Sequence, residues 1–74
     1  MLSTKMEKAL NDQINAEMFS AYLYLAMVAY FQDRNLSGFA NWMTVQNQKE
    51  TFHAMTFFNY TAERGGRVTL NAIE

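Results

Sequence analysis

Apolar residues recur along this chain in steps of three and four. Leu10, Ile14, Glu17, Ala21, Tyr24, Val28 and Phe31 form one such series. Phe39, Met43, Gln46, Glu50, His53, Phe57 and Tyr60 form a second. That spacing puts each series on one face of a helix. No proline occurs and no glycine precedes Gly38, so long helices run uninterrupted. Thr4-Lys5-Met6-Glu7 reads as a capping box and opens a first helix over about 4–33. Asp33-Arg34-Asn35-Leu36 is a polar break, and Ser37 is placed to cap a second helix over about 38–64. Gly65-Gly66 is a stop, because glycine takes the left-handed conformation that ends helices. The chain thus divides into a helical hairpin over 1–66 and a C-terminal tail over 67–74, read as an extended arm or a short strand.

Two long helices with a short connection make an antiparallel hairpin. A hairpin has one interface, so apolar residues on its outer faces stay wet. Trp42, Val45, Phe52, Met55 and Phe58 give the second helix a further apolar strip. Excess apolar surface of this kind marks an interaction site. The expected fold is all-α, an antiparallel hairpin that dimerises into a four-helix bundle.

Composition supports that expectation. The chain has 74 residues, half of them hydrophobic, which is one small folded domain. So short a chain seldom builds a sufficient core without disulfides, metal or oligomerisation. There is no cysteine, which leaves metal and oligomerisation. Net charge is −1 with no basic cluster, so no nucleic-acid partner is expected. The longest apolar run, Ala21 to Phe31, contains three tyrosines and is too short to span a bilayer. No signal peptide is recognisable, and the expected location is the cytoplasm.

Glu50 and His53 are then out of place. They are the only carboxylate and the only imidazole of a mostly apolar series. A buried carboxylate needs an opposite charge or a metal. Glu17 holds a matching position on the first helix. With the turn near residue 35, Glu17 lies 18 residues before it, and Glu50 and His53 lie 15 and 18 after. At a rise of ~1.5 Å per residue all three sit roughly 22–27 Å from the turn. Three oxygen and nitrogen ligands at one level suit a divalent transition metal. Di-iron carboxylate bundles take a Glu from each of two helices and a Glu-x-x-His from each of the other two. This chain carries one of each, so a symmetric dimer completes the set. Glu17 and His53 are then terminal ligands and Glu50 a bridge. The competing salt-bridge reading needs a cation, but neither series contains Lys or Arg. Lys49 is rotated ~100° from Glu50. Tyr24, two turns beyond Glu17, is either a core tyrosine or a residue acting beside the site. Gln46 is either a ligand-orienting group or a tolerated polar residue.

The chain also resembles a known family. The matching stretches are Leu10 to Glu17, Ser20 to Tyr24, Gly38 to Met43, Gln46 to Met55 and Glu63 to Val68. Together they resemble the first two helices of a prokaryotic non-haem ferritin subunit and the start of the loop that follows. The resemblance implies a ferroxidase centre, at which Fe(II) is oxidised by dioxygen or peroxide and Fe(III) passes to a mineral store. Glu17, Glu50 and His53 match the first-metal and bridging ligands, and Tyr24 matches a tyrosine beside the centre. Lys49 replaces the first of two consecutive glutamates, which implies that an accessory third iron site is absent. Phe52 stands where haem-binding relatives carry methionine, so no haem is expected. The match covers two of the family's four long helices, so completing the bundle takes a partner, most simply a second copy. The expectation is iron binding and ferroxidation at a di-iron site shared across a homodimer. The alternative is a non-catalytic bundle scaffold.

Overall fold

A computed structural model describes residues 2–73. Two helices, α1 over Thr4–Asp33 and α2 over Ser37–Glu63, make an antiparallel hairpin. Among the described residues there is no strand. The molecule is a rod of 49 × 20 × 11 Å with a radius of gyration of 14.8 Å. A compact chain of this length has a radius of about 11 Å. The hairpin is a single layer whose helices bury one face each. Among the described residues, no helix is long and apolar enough to cross a membrane.

The start of α1 differs from the capping box expected at Thr4. Ser3 is the N-cap, and its Oγ accepts from the Met6 amide at 3.1 Å. Thr4 is already helical, and the Glu7 carboxylate accepts instead from the Arg67 amide on the tail. Ser37 is likewise the first residue of α2; the N-cap is Leu36, without a side-chain cap. Both helices end in the same way. At α1, Asn35 is left-handed (φ 58°), with Leu36 N–H donating to Phe31 O and Asn35 N–H to Gln32 O. At α2, Gly65 is left-handed (φ 76°), with Gly66 N–H donating to Thr61 O and Gly65 N–H to Ala62 O. Both are Schellman closures, with glycine in one left-handed position and asparagine in the other.

The α1 series faces α2 as expected: Ile14, Ala21 and Val28 are buried. The α2 face is displaced by one residue from the expected series. Ala40, Ala54 and Thr61 are its buried members, with Thr44 and Asn47 between them. Phe39 and Tyr60 are exposed at the edges. Small side chains form the contact because they let the helices approach closely, while the bulky residues splay outward. Thr61 is fully buried, and its hydroxyl is satisfied by Phe57 O at 2.8 Å. Of the expected outer strip, Trp42, Val45, Phe52 and Met55 are exposed, whereas Phe58 is half-buried.

Gly66 to Ile73 form neither helix nor strand. Their first residues run back along α1. Asn11 donates to Arg67 O at 2.9 Å and accepts from the Thr69 amide at 2.8 Å. Arg67 is exposed, and it is its backbone that is held against α1. Arg34 and Arg64 lie over the rings of Tyr30 and Tyr60.

Candidate metal centre

Glu17 lies near the middle of α1, and Glu50 and His53 lie on consecutive turns of α2. The helices bring them together. One ligand atom from each, two carboxylate oxygens and a ring nitrogen, lies within 4.8 Å of the others. His53 Nδ1 is 3.5 Å from Glu17 Oε2 and 3.9 Å from Glu50 Oε2. First-row divalent metals bind such atoms at about 2.1 Å, which separates two ligands on one ion by about 3–4 Å. The donor set therefore fits a single ion between the helices. The carboxylates are mostly enclosed, whereas the His53 side chain remains 42% exposed. An open groove of about 330 Å³ lined by Phe52, Thr56 and Phe57 reaches Glu17 and His53.

Burial alone would raise both carboxyls. Here they diverge. A hydrogen bond between the two carboxyls raises Glu50 above the ordinary carboxylate range, with desolvation and the Glu17 charge adding to it. The same hydrogen bond lowers Glu17, and Gln13 and His53 assist. Like charges sharing a site part in this way, with Glu50 holding a proton more tightly than Glu17. Lys49 lowers Glu50 by its charge but forms no ion pair within 4 Å among the described residues. It flanks the pair, as its rotation on the helix implies.

Two neighbours were not visible in the sequence pattern. Gln13 Nε2 donates to Glu17 Oε1 at 3.0 Å. The signal for it was the four-residue spacing to Glu17. Asn47 Nδ2 donates to Ala21 O at 2.7 Å, tying α2 to the α1 backbone one turn from the centre. Gln46 makes no hydrogen bond to the three groups among the described residues. Tyr24 is half-buried and also makes none. Seven residues from Glu17, it lies about 10 Å further along α1.

A family model described as ferritin-like domain matches residues 7–74. A bacterial non-heme ferritin of Bacteroides fragilis (strain YCH46) is 45% identical over all 74 residues, which span 46% of that relative. One from Staphylococcus aureus (strain NCTC 8325 / PS 47) is 41% identical over 73 residues, 44% of its length. An engineered closed form of the Archaeoglobus fulgidus ferritin superposes with a TM-score of 0.96 at 58% identity. That match takes in 100% of this chain and 45% of the other. An open-pore ferritin of the same archaeon gives 0.93 at 58% identity. The chain spans less than half the length of the curated relatives it matches. With its helical hairpin, its clustered acids and imidazole, and a family match running almost end to end, the chain belongs to the ferritin-like domain family.

Proposed function

We propose that Glu17, Glu50 and His53 bind Fe(II) as a substrate, and that two copies of the 74-residue chain pair into a bundle holding two irons. The observation that carries this is the convergence of three ligand atoms within 4.8 Å on a hairpin with ferritin relatives. Two enclosed carboxylates and one imidazole suit Fe(II), and the exposed side of His53 leaves coordination positions open. The exposed strip of Trp42, Val45, Phe52 and Met55 supports pairing, since water-facing aromatics of this extent seek cover.

The proposed reaction is ferroxidation. Each of two Fe(II) loses one electron, and dioxygen takes the two electrons and two protons to give hydrogen peroxide. In the paired chain Glu17 and His53 are terminal ligands and Glu50 a bridge between the irons. Tyr24, half-buried further along α1, is the proposed residue acting beside the centre. Iron storage is the proposed purpose, with haem playing no part. The proposed setting is the cytoplasm, where reducing conditions supply iron as Fe(II).

Anaerobic titration of Fe(II) into the purified chain tests the reading. The expected stoichiometry is one iron per chain, or two per dimer. Admission of air then produces a near-ultraviolet absorbance, and Glu50→Ala abolishes both uptake and absorbance. Uptake that never saturates, or that Glu50→Ala leaves intact, reduces the chain to a bundle scaffold. A strictly monomeric mass in the iron-loaded state removes the shared site.

A further inference from the structure

We infer that Gln13 is a positioning residue that restricts Glu17 to a single metal-facing oxygen. This rests on the metal-binding reading above and extends it to a residue outside the ligand set. Besides the contact with the Glu50 carboxyl, the two oxygens of Glu17 have different partners. Oε1 accepts from Gln13 Nε2 at 3.0 Å, and Oε2 lies 3.5 Å from His53 Nδ1. With Oε1 engaged by the Gln13 donor and Oε2 the oxygen nearer His53, Glu17 is inferred to bind through Oε2 alone. A carboxylate held to one oxygen takes one coordination position where a chelating one takes two. The position left free is available to the oxidant or to the bridging carboxylate of Glu50. Gln13 achieves this as a neutral donor. A lysine there would hold the same oxygen but set a positive charge beside the arriving cation. The four-residue spacing on a continuous helix stacks the two side chains one turn apart, so the contact needs no other element.

The test loads the full chain with Zn(II) and reads the splitting between the asymmetric and symmetric carboxylate stretches in loaded-minus-free infrared spectra. One-oxygen coordination gives a wide splitting, and chelation a narrow one. Gln13→Met keeps length and helix preference but has no donor. Its expected spectrum shows a narrowed component, and its Zn(II) affinity falls roughly tenfold, as for other residues that orient a ligand. Its metal-free melting temperature stays within about 4 °C of the parent. Gln13→Lys restores the donor and is expected to recover the wide splitting while binding Zn(II) more weakly than the parent. Parent-like splitting and affinity in Gln13→Met overturn this inference alone. Loss of affinity together with a larger fall in melting temperature, unrescued by lysine, also overturns it, because Gln13 then acts through the helix. A parent chain that takes up no Zn(II) overturns both this inference and the metal-binding reading.

Discussion

Asn11→Ala should loosen the tail at Thr69 while leaving the hairpin folded and the Arg67 amide on Glu7. Asn11 is buried, and its amide makes three hydrogen bonds: to Glu7 O at 3.1 Å, to Arg67 O at 2.9 Å and from the Thr69 amide at 2.8 Å. The first is local to α1. The other two span 56 and 58 residues and hold the tail. A typical intramolecular hydrogen bond contributes about 1 kcal/mol net, so losing the pair costs the clasp about 2 kcal/mol. Water rehydrates Arg67 O and the Thr69 amide, which keeps the figure near that sum. At 25 °C it corresponds to roughly thirtyfold in the opening equilibrium. The assay is amide hydrogen exchange at Thr69, expected to quicken by roughly thirtyfold in Asn11→Ala. The amides of Ala54 and Val28, deep in the hairpin, should change little. Asn11→Asp separates the two halves of the clasp. It keeps an acceptor for Thr69 but loses the donor to Arg67 O and brings a carboxylate against that carbonyl. Thr69 should therefore stay more protected in Asn11→Asp than in Asn11→Ala. Unchanged exchange at Thr69 in Asn11→Ala would refute the clasp, and equal quickening at Val28 would show a general loosening.

Three further outcomes follow from the same geometry. Ala54→Leu overfills a position with no exposed surface, and should lower stability by about 1–3 kcal/mol in a denaturant titration. It should weaken metal uptake as well, because the helices that carry the ligands are forced apart; parent-like uptake would show that helix spacing does not set the site. Gly65→Ala puts a side chain at φ 76° and should cost about 1 kcal/mol by the same titration, seen as fraying at Thr61 and Ala62. Metal affinity should rise with pH through the titration of the Glu50–Glu17 pair. Glu50 is raised, so in the metal-free protein it retains its proton above the ordinary carboxylate range and must release it to bind. Calorimetry in buffers of different ionisation enthalpy should register that proton below the raised value and lose it above. In metal-free stability the two acids oppose each other. Raised Glu50 contributes at low pH and loses its contribution as pH rises through its folded value. Lowered Glu17 contributes at higher pH and loses its contribution as pH falls through its own. The pH dependence of unfolding at this pair should therefore be shallower than that of uptake.

Much of the fold was legible because it is local. The three-four spacing, the lack of proline and the Gly65-Gly66 stop each act within a few residues. The common level of Glu17, Glu50 and His53 followed from helix rise and one short turn. What escaped was set by distant partners. Ser3 and Thr4 are both competent caps, and the choice between them goes with Glu7 bonding to Arg67, 60 residues away. Asn11 looks like a surface residue until the tail covers it. The face of α2 was misplaced by one position for a different reason. Large apolar residues draw attention in a sequence, but a close contact between two helices selects small ones. Phe39, Met43 and Phe57 therefore suggested the contact that Ala40, Ala54 and Thr61 make.

That one-residue displacement bears on the chemistry. Helix axes pack 8–10 Å apart, according to the side chains between them. Alanine and threonine on α2, with Asn47 reaching the Ala21 carbonyl, keep the pair close. Close packing is what lets a Glu on α1 meet a Glu and a His on α2 within 4.8 Å. A leucine-filled contact would hold the same residues at the same height but further apart. The displacement also moves Glu50 and His53 off the centre of the contact to its margin. There His53 is 42% exposed and shares an open groove with Phe52, one of the outward aromatics. The ligands therefore border the apolar surface that a second pair of helices would cover. Covering that surface would remove water from the acids and the imidazole, and an ion bound there would offset the cost of burying their charges. On the proposed reading, bundle completion and metal binding would favour each other through the same side chains.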